Sequence, residues 1–131
     1  MVQAVQISWN DKEPIYLQLR DRLVELILDG ALPEGEPLPS VRQISSEQRI
    51  NPITVSKAFQ LMVDEGLVEK RRGRGMYVVT GAQAKLTDLE RQQFLDVEWP
   101  AILRRVARLG LAVDELPGSP AADPDQTADR N

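Results

Sequence analysis

Side chains that could bind phosphate or the edges of nucleic-acid bases are concentrated in two short segments. Residues 51–57 read NPITVSK and carry amide, hydroxyl and ammonium groups, and residues 70–75 read KRRGRG, which sets four cations around two glycines. Cations and hydroxyls bind phosphate oxygens, while amides, hydroxyls and ammonium groups bind base edges in a major groove. These residue types indicate binding to DNA.

The composition argues against catalysis. The 131 residues include no histidine and no cysteine, which removes the commonest general base, the thiolate nucleophile and the usual zinc ligands. Carboxylates that could act as acids or bases are scattered, at Glu34, Glu36, Asp64 and Glu65. Glu65 beside Gly66 is typical of a helix end. We therefore expect no enzymatic activity, no metal site and no cofactor.

The distribution of charge is compatible with DNA although the net charge is −4. Between Ser40 and Gly75 the chain has seven cations and four acids. A binding surface depends on where the charges lie rather than on their sum. The acidic excess lies mostly outside this central region.

The chain has the features of a cytoplasmic globular protein. It contains 42% hydrophobic and 27% charged residues, and it has no apolar run near the roughly 20 residues needed to span a bilayer. Residues 1–9 lack the basic and apolar regions of a secretory signal. We therefore expect a cytoplasmic location.

A first helix is predicted over residues 11–28, because apolar residues recur there at helical spacing. Asp11 and Pro14 are its start signals, and Gly30 is its stop signal. Residues 31–39 contain three prolines and a glycine, which predicts an extended loop. That loop leads directly into the next predicted helix.

Two further helices are predicted to hold the NPITVSK segment. Ser40 can cap the second helix, with Gln43 as its capping-box partner. Asn51 as N-cap and Pro52 at the first helical position start the third helix, and Gly66 ends it. The N-terminus of the third helix is expected to offer unpaired N–H groups to a phosphate. Its buried face is predicted to comprise Val55, Ala58, Phe59 and Met62.

A hairpin wing and a helical region are predicted after the third helix. Strands over 67–70 and 76–80 flank the glycine turn. Helical spacing resumes from Lys85 to Gly110, with a break or kink at Pro100. Residues 117–131 have too little apolar content to pack, which predicts a disordered tail. The predicted fold is α+β and mostly helical, with a DNA-binding domain at 1–81, a helical region at 82–116 and the tail.

The helical region is predicted to form a homodimer. Its apolar side chains exceed what so small a domain can cover, so burial against a second copy is expected. These side chains are Leu86, Leu89, Phe94, Val97, Trp99, Ile102, Leu103, Val106 and Leu109.

Three arginines in the same region leave two interpretations open. Arg104, Arg105 and Arg108 could bind an anionic effector. They could instead pair with Asp96, Glu98 or the acids of a second subunit. A small-molecule effector is therefore possible, and its chemistry is unknown.

An ordered set of motifs resembles the GntR-type bacterial transcription regulators and, among them, the short YtrA-like subfamily. The motifs are Pro-Ile-Tyr-x-Gln-Leu from Pro14, Leu-Pro-Ser-Val-Arg from Leu38, Asn-Pro-x-Thr-Val from Asn51, Glu-Gly-Leu-Val from Glu65 and Arg-x-Gly-x-Gly from Arg71. The resemblance implies a winged helix-turn-helix that binds a palindromic double-stranded DNA operator as a homodimer. It also implies repression, often of transporter operons.

The same resemblance assigns the DNA contacts. By match to the motifs they are Ser40, Arg42, Asn51, Pro52, Thr54, Ser56, Lys57, Arg72 and Gly73. Two residues depart from the family pattern. Gln48 stands where relatives more often have a buried leucine, which predicts looser or shifted packing. Ile53 stands where relatives often carry a polar residue, and it could contact a thymine methyl.

A winged helix can also serve as a protein-interaction module without sequence-specific DNA binding. Such a module would tolerate the loss of Arg42, Lys57 and Arg72. Its binding would also show little of the salt dependence that phosphate contacts impose. The sequence leaves this alternative open.

Overall fold

The computed structural model describes residues 5–118 and has the α+β, mostly helical architecture predicted from the sequence. The chain divides into two compact units, Met1–Asp88 and Leu89–Asn131. No helix within residues 5–118 is long and apolar enough to cross a membrane. The elements are α1 (Ile15–Leu28), α2 (Val41–Gln48), α3 (Pro52–Asp64), β1 (Val68–Arg71), β2 (Gly75–Val78), α4 (Ala82–Gln93), a π-helical turn (Phe94–Glu98), α5 (Trp99–Arg108) and a 3-10 turn (Val113–Glu115).

Helix α1 begins at Ile15, so the start predicted at Asp11 is wrong. Pro14 has an extended backbone with ψ of 144° and lies just outside the helix. The preceding turn is held by Gln18, whose side-chain amide donates to the carbonyl of Glu13 at 2.8 Å and accepts the N–H of Asn10 at 2.9 Å. Residues 10–13 are therefore occupied in a turn that the helix cannot extend into.

The caps of α2 and α3 confirm the predicted helix starts. The Ser40 hydroxyl oxygen accepts the N–H of Gln43 at 3.0 Å, and the Asn51 side chain accepts the N–H of Ile53 at 2.9 Å. Because each side chain satisfies a donor that the helix itself leaves free, it fixes where the helix begins. The helix-turn-helix pair is thus specified locally.

The turn between α2 and α3 is tight and partly strained. Arg49 has a φ of 56°, in the left-handed region that side chains other than glycine rarely adopt. Ser45 secures the turn, since its hydroxyl donates to the carbonyl of Ile50 at 2.6 Å. Beside it, the Gln48 amide donates to the carbonyl of Val5. A polar residue at this position therefore has a hydrogen-bond partner.

The hydrophobic core of the first unit is formed by α1, α2, α3, the hairpin and the start of α4. The predicted buried face of α3 is confirmed, because Val55, Ala58, Phe59 and Met62 are all buried. Leu86 is also buried in this core, with 4% of its surface exposed. Its assignment to a dimer surface is therefore wrong, since the side chain already packs within its own unit. The largest fully buried side chains include Leu19, Leu23, Ile27, Ile44, Met62 and Leu67.

The wing is an antiparallel hairpin supported by the loop that precedes α2. Lys70 pairs with Met76, and Arg71 pairs with Gly75. The loop predicted to be extended runs beside β2, where the N–H of Leu38 donates to the carbonyl of Met76 at 2.8 Å. This contact extends the two-stranded sheet towards the start of α2.

The helical region does not break at Pro100. The predicted start at Lys85 is wrong because α4 begins at Ala82, and the helical backbone passes Pro100 through the π-helical turn. In that turn the N–H of Trp99 donates to the carbonyl of Phe94. A wider turn of this kind accommodates a proline that has no N–H and crowds the preceding turn.

Helix α5 ends at a glycine, as predicted. Gly110 has a φ of 71°, and the N–H of Leu111 donates back to the carbonyl of Val106 at 3.1 Å. This six-residue loop is the usual glycine stop of a helix. The predicted disordered tail, residues 117–131, lies outside the described residues beyond Gly118.

Candidate nucleic-acid interface

A groove in the first unit is bounded by the start of α2, one face of α3 and the wing. It brings together hydroxyl, amide and cationic groups from segments far apart in the sequence. Its polar lining comprises Ser40, Ser56, Gln60, Lys70 and Arg74. Such groups bind phosphate oxygens and base edges. Of the contacts assigned from the sequence, Ser40 and Ser56 line this groove.

The first turn of α3 has its backbone donors already satisfied. Pro52 has no N–H, and Asn51 accepts the N–H of Ile53 through its side chain. The carbonyl of Asn51 accepts the N–H groups of Thr54 and Val55 at 2.9 and 3.3 Å. The expectation that this helix end offers unpaired N–H groups to a phosphate is therefore wrong. Any phosphate bound at this helix end must therefore be contacted by side chains.

Most side chains of the N-terminal half of α3 are open to a ligand. Thr54 is half-buried, whereas Asn51, Pro52, Ser56 and Lys57 are exposed. Ser40 at the start of α2 is exposed as well, and its hydroxyl retains a proton to donate while its oxygen accepts the capping N–H.

Lys57 is held by an aromatic ring that the sequence did not single out as part of the site. Its ammonium nitrogen lies 4.1 Å from the ring centroid of Tyr16, on α1. This cation–π contact restrains a flexible side chain and holds its charge beside the start of α1. The only sequence signal was the aromatic residue within the Pro-Ile-Tyr motif.

The wing divides its cations between two roles. Arg71 lies 4.1 Å from the ring centroid of Tyr77 and 3.2 Å from a carboxylate oxygen of Glu69, so it is engaged within the hairpin. Lys70 points to the other face of β1, because side chains alternate along a strand, and it lines the groove with Arg74. The contacts assigned by the family motifs include Arg72 and Gly73 at the tip but do not include Lys70, Arg74 or Gln60.

Several exposed cations of the first unit have no ion-pair partner among residues 5–118. They are Arg42 on α2, Arg49 in the turn, and Lys70, Arg72 and Arg74 on the wing. Unpaired surface cations are free to neutralise the phosphates of a nucleic acid. This releases the counterions that were bound to those phosphates. Gly73, with a φ of 75°, closes the wing tip without a side chain.

An ion pair orients α3 against α1. Arg20 donates two hydrogen bonds to the carboxylate of Glu65, at 2.9 and 2.7 Å. These hydrogen bonds raise the pKa of the Arg20 guanidinium above its ordinary value. Lys85 adds a third contact by donating to the carbonyl of Glu65 at 2.8 Å. The C-terminal end of α3 is thus tied to two other helices.

The second unit presents an apolar row and a basic row on α5. Trp99, Ile102, Leu103 and Val106 recur at helical spacing, and Phe94 stacks on Trp99 with ring centroids 6.1 Å apart. Arg104, Arg105 and Arg108 form no ion pair with Asp96 or Glu98 among the described residues. Among residues 5–118 these arginines are therefore not paired with the acids of their own helical segment.

Comparison with known proteins identifies relatives of this chain. Residues 15–78 match the family of bacterial regulatory proteins called gntR. The HTH-type transcriptional repressor YtrA of Bacillus subtilis (strain 168) is 39% identical over 84 residues, which cover 64% of this chain and 65% of that protein. The chain thus spans just under two thirds of that relative's length.

Two solved structures share the architecture. YtrA from Sulfolobus acidocaldarius, a GntR-family transcription factor, is 33% identical and has a TM-score of 0.55, with 70% of this chain and 97% of that chain covered. A transcriptional regulator from Oenococcus oeni is 25% identical and has a TM-score of 0.68, with 82% of this chain and 88% of that chain covered.

Proposed function

The chain belongs to the GntR family of bacterial regulatory proteins, and we propose that it is a DNA-binding transcriptional regulator that represses transcription by binding a palindromic operator as a homodimer. The name of the Bacillus subtilis relative, a transcriptional repressor, supports the direction of regulation. The proposal includes a cytoplasmic location, where bacterial operator DNA lies. Transporter genes are the first candidates for the regulated operon.

The observation that carries this proposal is the groove shared by α2, α3 and the wing. A helix in the major groove and a hairpin against the adjacent backbone must lie on one face of a domain to contact the same duplex. Ser56 and Gln60 of α3 line the same groove as Lys70 and Arg74 of the wing. The proposed contacts are Ser40, Arg42, Asn51, Pro52, Thr54, Ser56, Lys57, Arg72 and Gly73, together with Gln60, Lys70 and Arg74.

The second unit supports the homodimer. No side chain among residues 89–118 is buried, although the segment is rich in large apolar residues. Apolar surface of this kind is normally covered by a partner, and a two-fold axis pairs it with itself. The proposed dimer surface comprises Leu89, Phe94, Val97, Trp99, Ile102, Leu103, Val106 and Leu109.

The palindromic operator follows from that symmetry. One helix and one wing contact a half-site, and a two-fold axis presents an identical second reading face to the inverted half-site. Doubling the contacts raises the affinity into the range of specific DNA binding. Arg104, Arg105 and Arg108 are cations, so any effector that binds near them would be an anion.

The test is a titration of the purified full chain against DNA from its own promoter region at two salt concentrations. Arg42→Ala and Lys57→Ala should each lose affinity and reduce the salt dependence by about one counterion for each phosphate contact removed. Arg91→Ala, an exposed arginine in the second unit, is the matched control. Absence of specific binding to this DNA, or binding that is unchanged by the two substitutions, would contradict the proposal and favour the protein-interaction module.

A further inference from the structure

Ile53 is the most exposed large apolar side chain among residues 5–118, with 75% of its surface accessible. It lies in the first turn of α3, and the neighbouring residues Asn51, Thr54 and Lys57 are polar. No other part of the described chain covers it. An aliphatic side chain so placed gains nothing for the fold of the unit, because it stays in water.

The position and rigidity of Ile53 suit a contact rather than a solvated surface. Its N–H donates to the Asn51 side chain at 2.9 Å, which fixes the backbone at the start of the helix. A β-branched side chain in a helix has one strongly preferred rotamer. Ile53 precedes Ser56 by three residues and Gln60 by seven, so it shares their helix face, and both of those residues line the groove.

An aliphatic side chain can read only one feature of the major groove. Among the four base pairs, thymine alone presents a methyl group there, while cytosine presents an amino donor that an aliphatic neighbour would leave unsatisfied. We infer that Ile53 is a specificity-determining residue that contacts the C5-methyl of a thymine in each half-site. This inference rests on the proposed function, since it requires α3 to enter the major groove.

The experiment removes that methyl without altering base pairing. The full chain is used to select binding sites from a random duplex library, and each thymine required in the selected half-site is then replaced by uracil. Loss of one buried methyl should weaken binding about fourfold. Replacement in both half-sites should weaken it about fifteenfold, because the two effects are independent.

Variants assign the effect to Ile53. Ile53→Ala should bind the thymine site more weakly and should no longer distinguish thymine from uracil. Val113→Ala, an exposed aliphatic residue of the second unit, should keep the wild-type preference for thymine. Thermal unfolding of Ile53→Ala should match that of the wild type, because the side chain is exposed.

The outcomes separate this inference from the proposed function. If replacing thymine by uracil leaves the affinity for the selected site unchanged, the role of Ile53 is overturned while DNA recognition stands. The same holds if Ile53→Ala still loses affinity on that replacement. Failure to enrich any sequence would instead overturn the proposed function, and the role of Ile53 with it.

Discussion

The two units of this protein use their apolar residues in opposite ways. In the first unit such residues from four helices and the hairpin are buried within the chain, including Leu19, Leu23, Ile44 and Met62. In the second unit, large apolar residues of residues 89–118 stay exposed, among them Leu89, Val97 and Leu109. The first unit therefore has its own core, and the exposed apolar side chains of the second unit form the surface proposed to bind a second copy. Folding of the first unit and association through the second unit can thus be tested in separate experiments.

Removing the second unit should have the largest effect. A chain truncated after Asp88 keeps Leu86 and the core, so we expect a folded monomer whose operator affinity falls at least about a hundredfold, since only one half-site is then bound. Sedimentation and DNA titration measure the two properties. A truncated chain that remains dimeric at full affinity would contradict the division of roles.

Two leucines on α4 should sharpen the comparison. Leu86→Ala should lower the free energy of unfolding by about 2–4 kcal/mol, because it leaves a cavity in a packed core. Leu89→Ala, at an exposed position of the same helix, should change that free energy by less than about 0.5 kcal/mol and weaken dimerisation instead. Chemical denaturation and sedimentation distinguish the two effects. Similar unfolding curves for the two variants would refute the assignment.

A glycine at the left-handed turn should stabilise the first unit. Arg49→Gly removes the strain of a positive φ and should raise the free energy of unfolding by about 0.5–1 kcal/mol. Arg49→Ala retains the strained backbone and serves as the control. Thermal unfolding monitored by circular dichroism suffices. A lower free energy of unfolding for Arg49→Gly would mean that the arginine side chain stabilises the fold by more than the backbone strain destabilises it.

The smallest effect concerns pH. Glu34 accepts the N–H of Gln83 at 3.0 Å, and backbone hydrogen bonds from Gly81 and Gln83 lower the pKa of its carboxyl. Its contribution is therefore complete above the ordinary carboxyl pKa and is lost as the pH falls through the lowered value. The protection of amides at the start of α4 against hydrogen exchange, measured relative to the intrinsic rate at each pH, should fall over that acidic range in the wild type. Glu34→Gln should abolish this pH dependence, and an unchanged profile would exclude Glu34 as its origin.

Features set by neighbours in sequence were predictable. The caps at Ser40 and Asn51 were correctly predicted because a single side chain and a nearby N–H determine each one. The buried face of α3 was predictable for the same reason, since periodicity alone defines it. The winged fold required only that these local signals occur in the right order.

Features set by tertiary contacts were not predictable. The start of α1 depends on Gln18 folding the preceding turn against it, and the burial of Leu86 depends on where α4 meets the core. The groove-lining role of Lys70 could have been found from strand alternation, because Val68 two residues earlier is buried. The engagement of Arg71 by Tyr77 required the register of the hairpin.

The π-helical turn has a consequence for how two copies can pair. A turn of this kind holds one more residue than an α-helical turn, and one residue rotates the side-chain direction by about 100°. The apolar row of α5 is therefore out of phase with the exposed Leu89 of α4. A coiled coil needs one uninterrupted seven-residue frame, and here the frame changes between Phe94 and Glu98. In the proposed homodimer, a symmetric partner would therefore meet this segment as two short contact surfaces, one on each side of the turn.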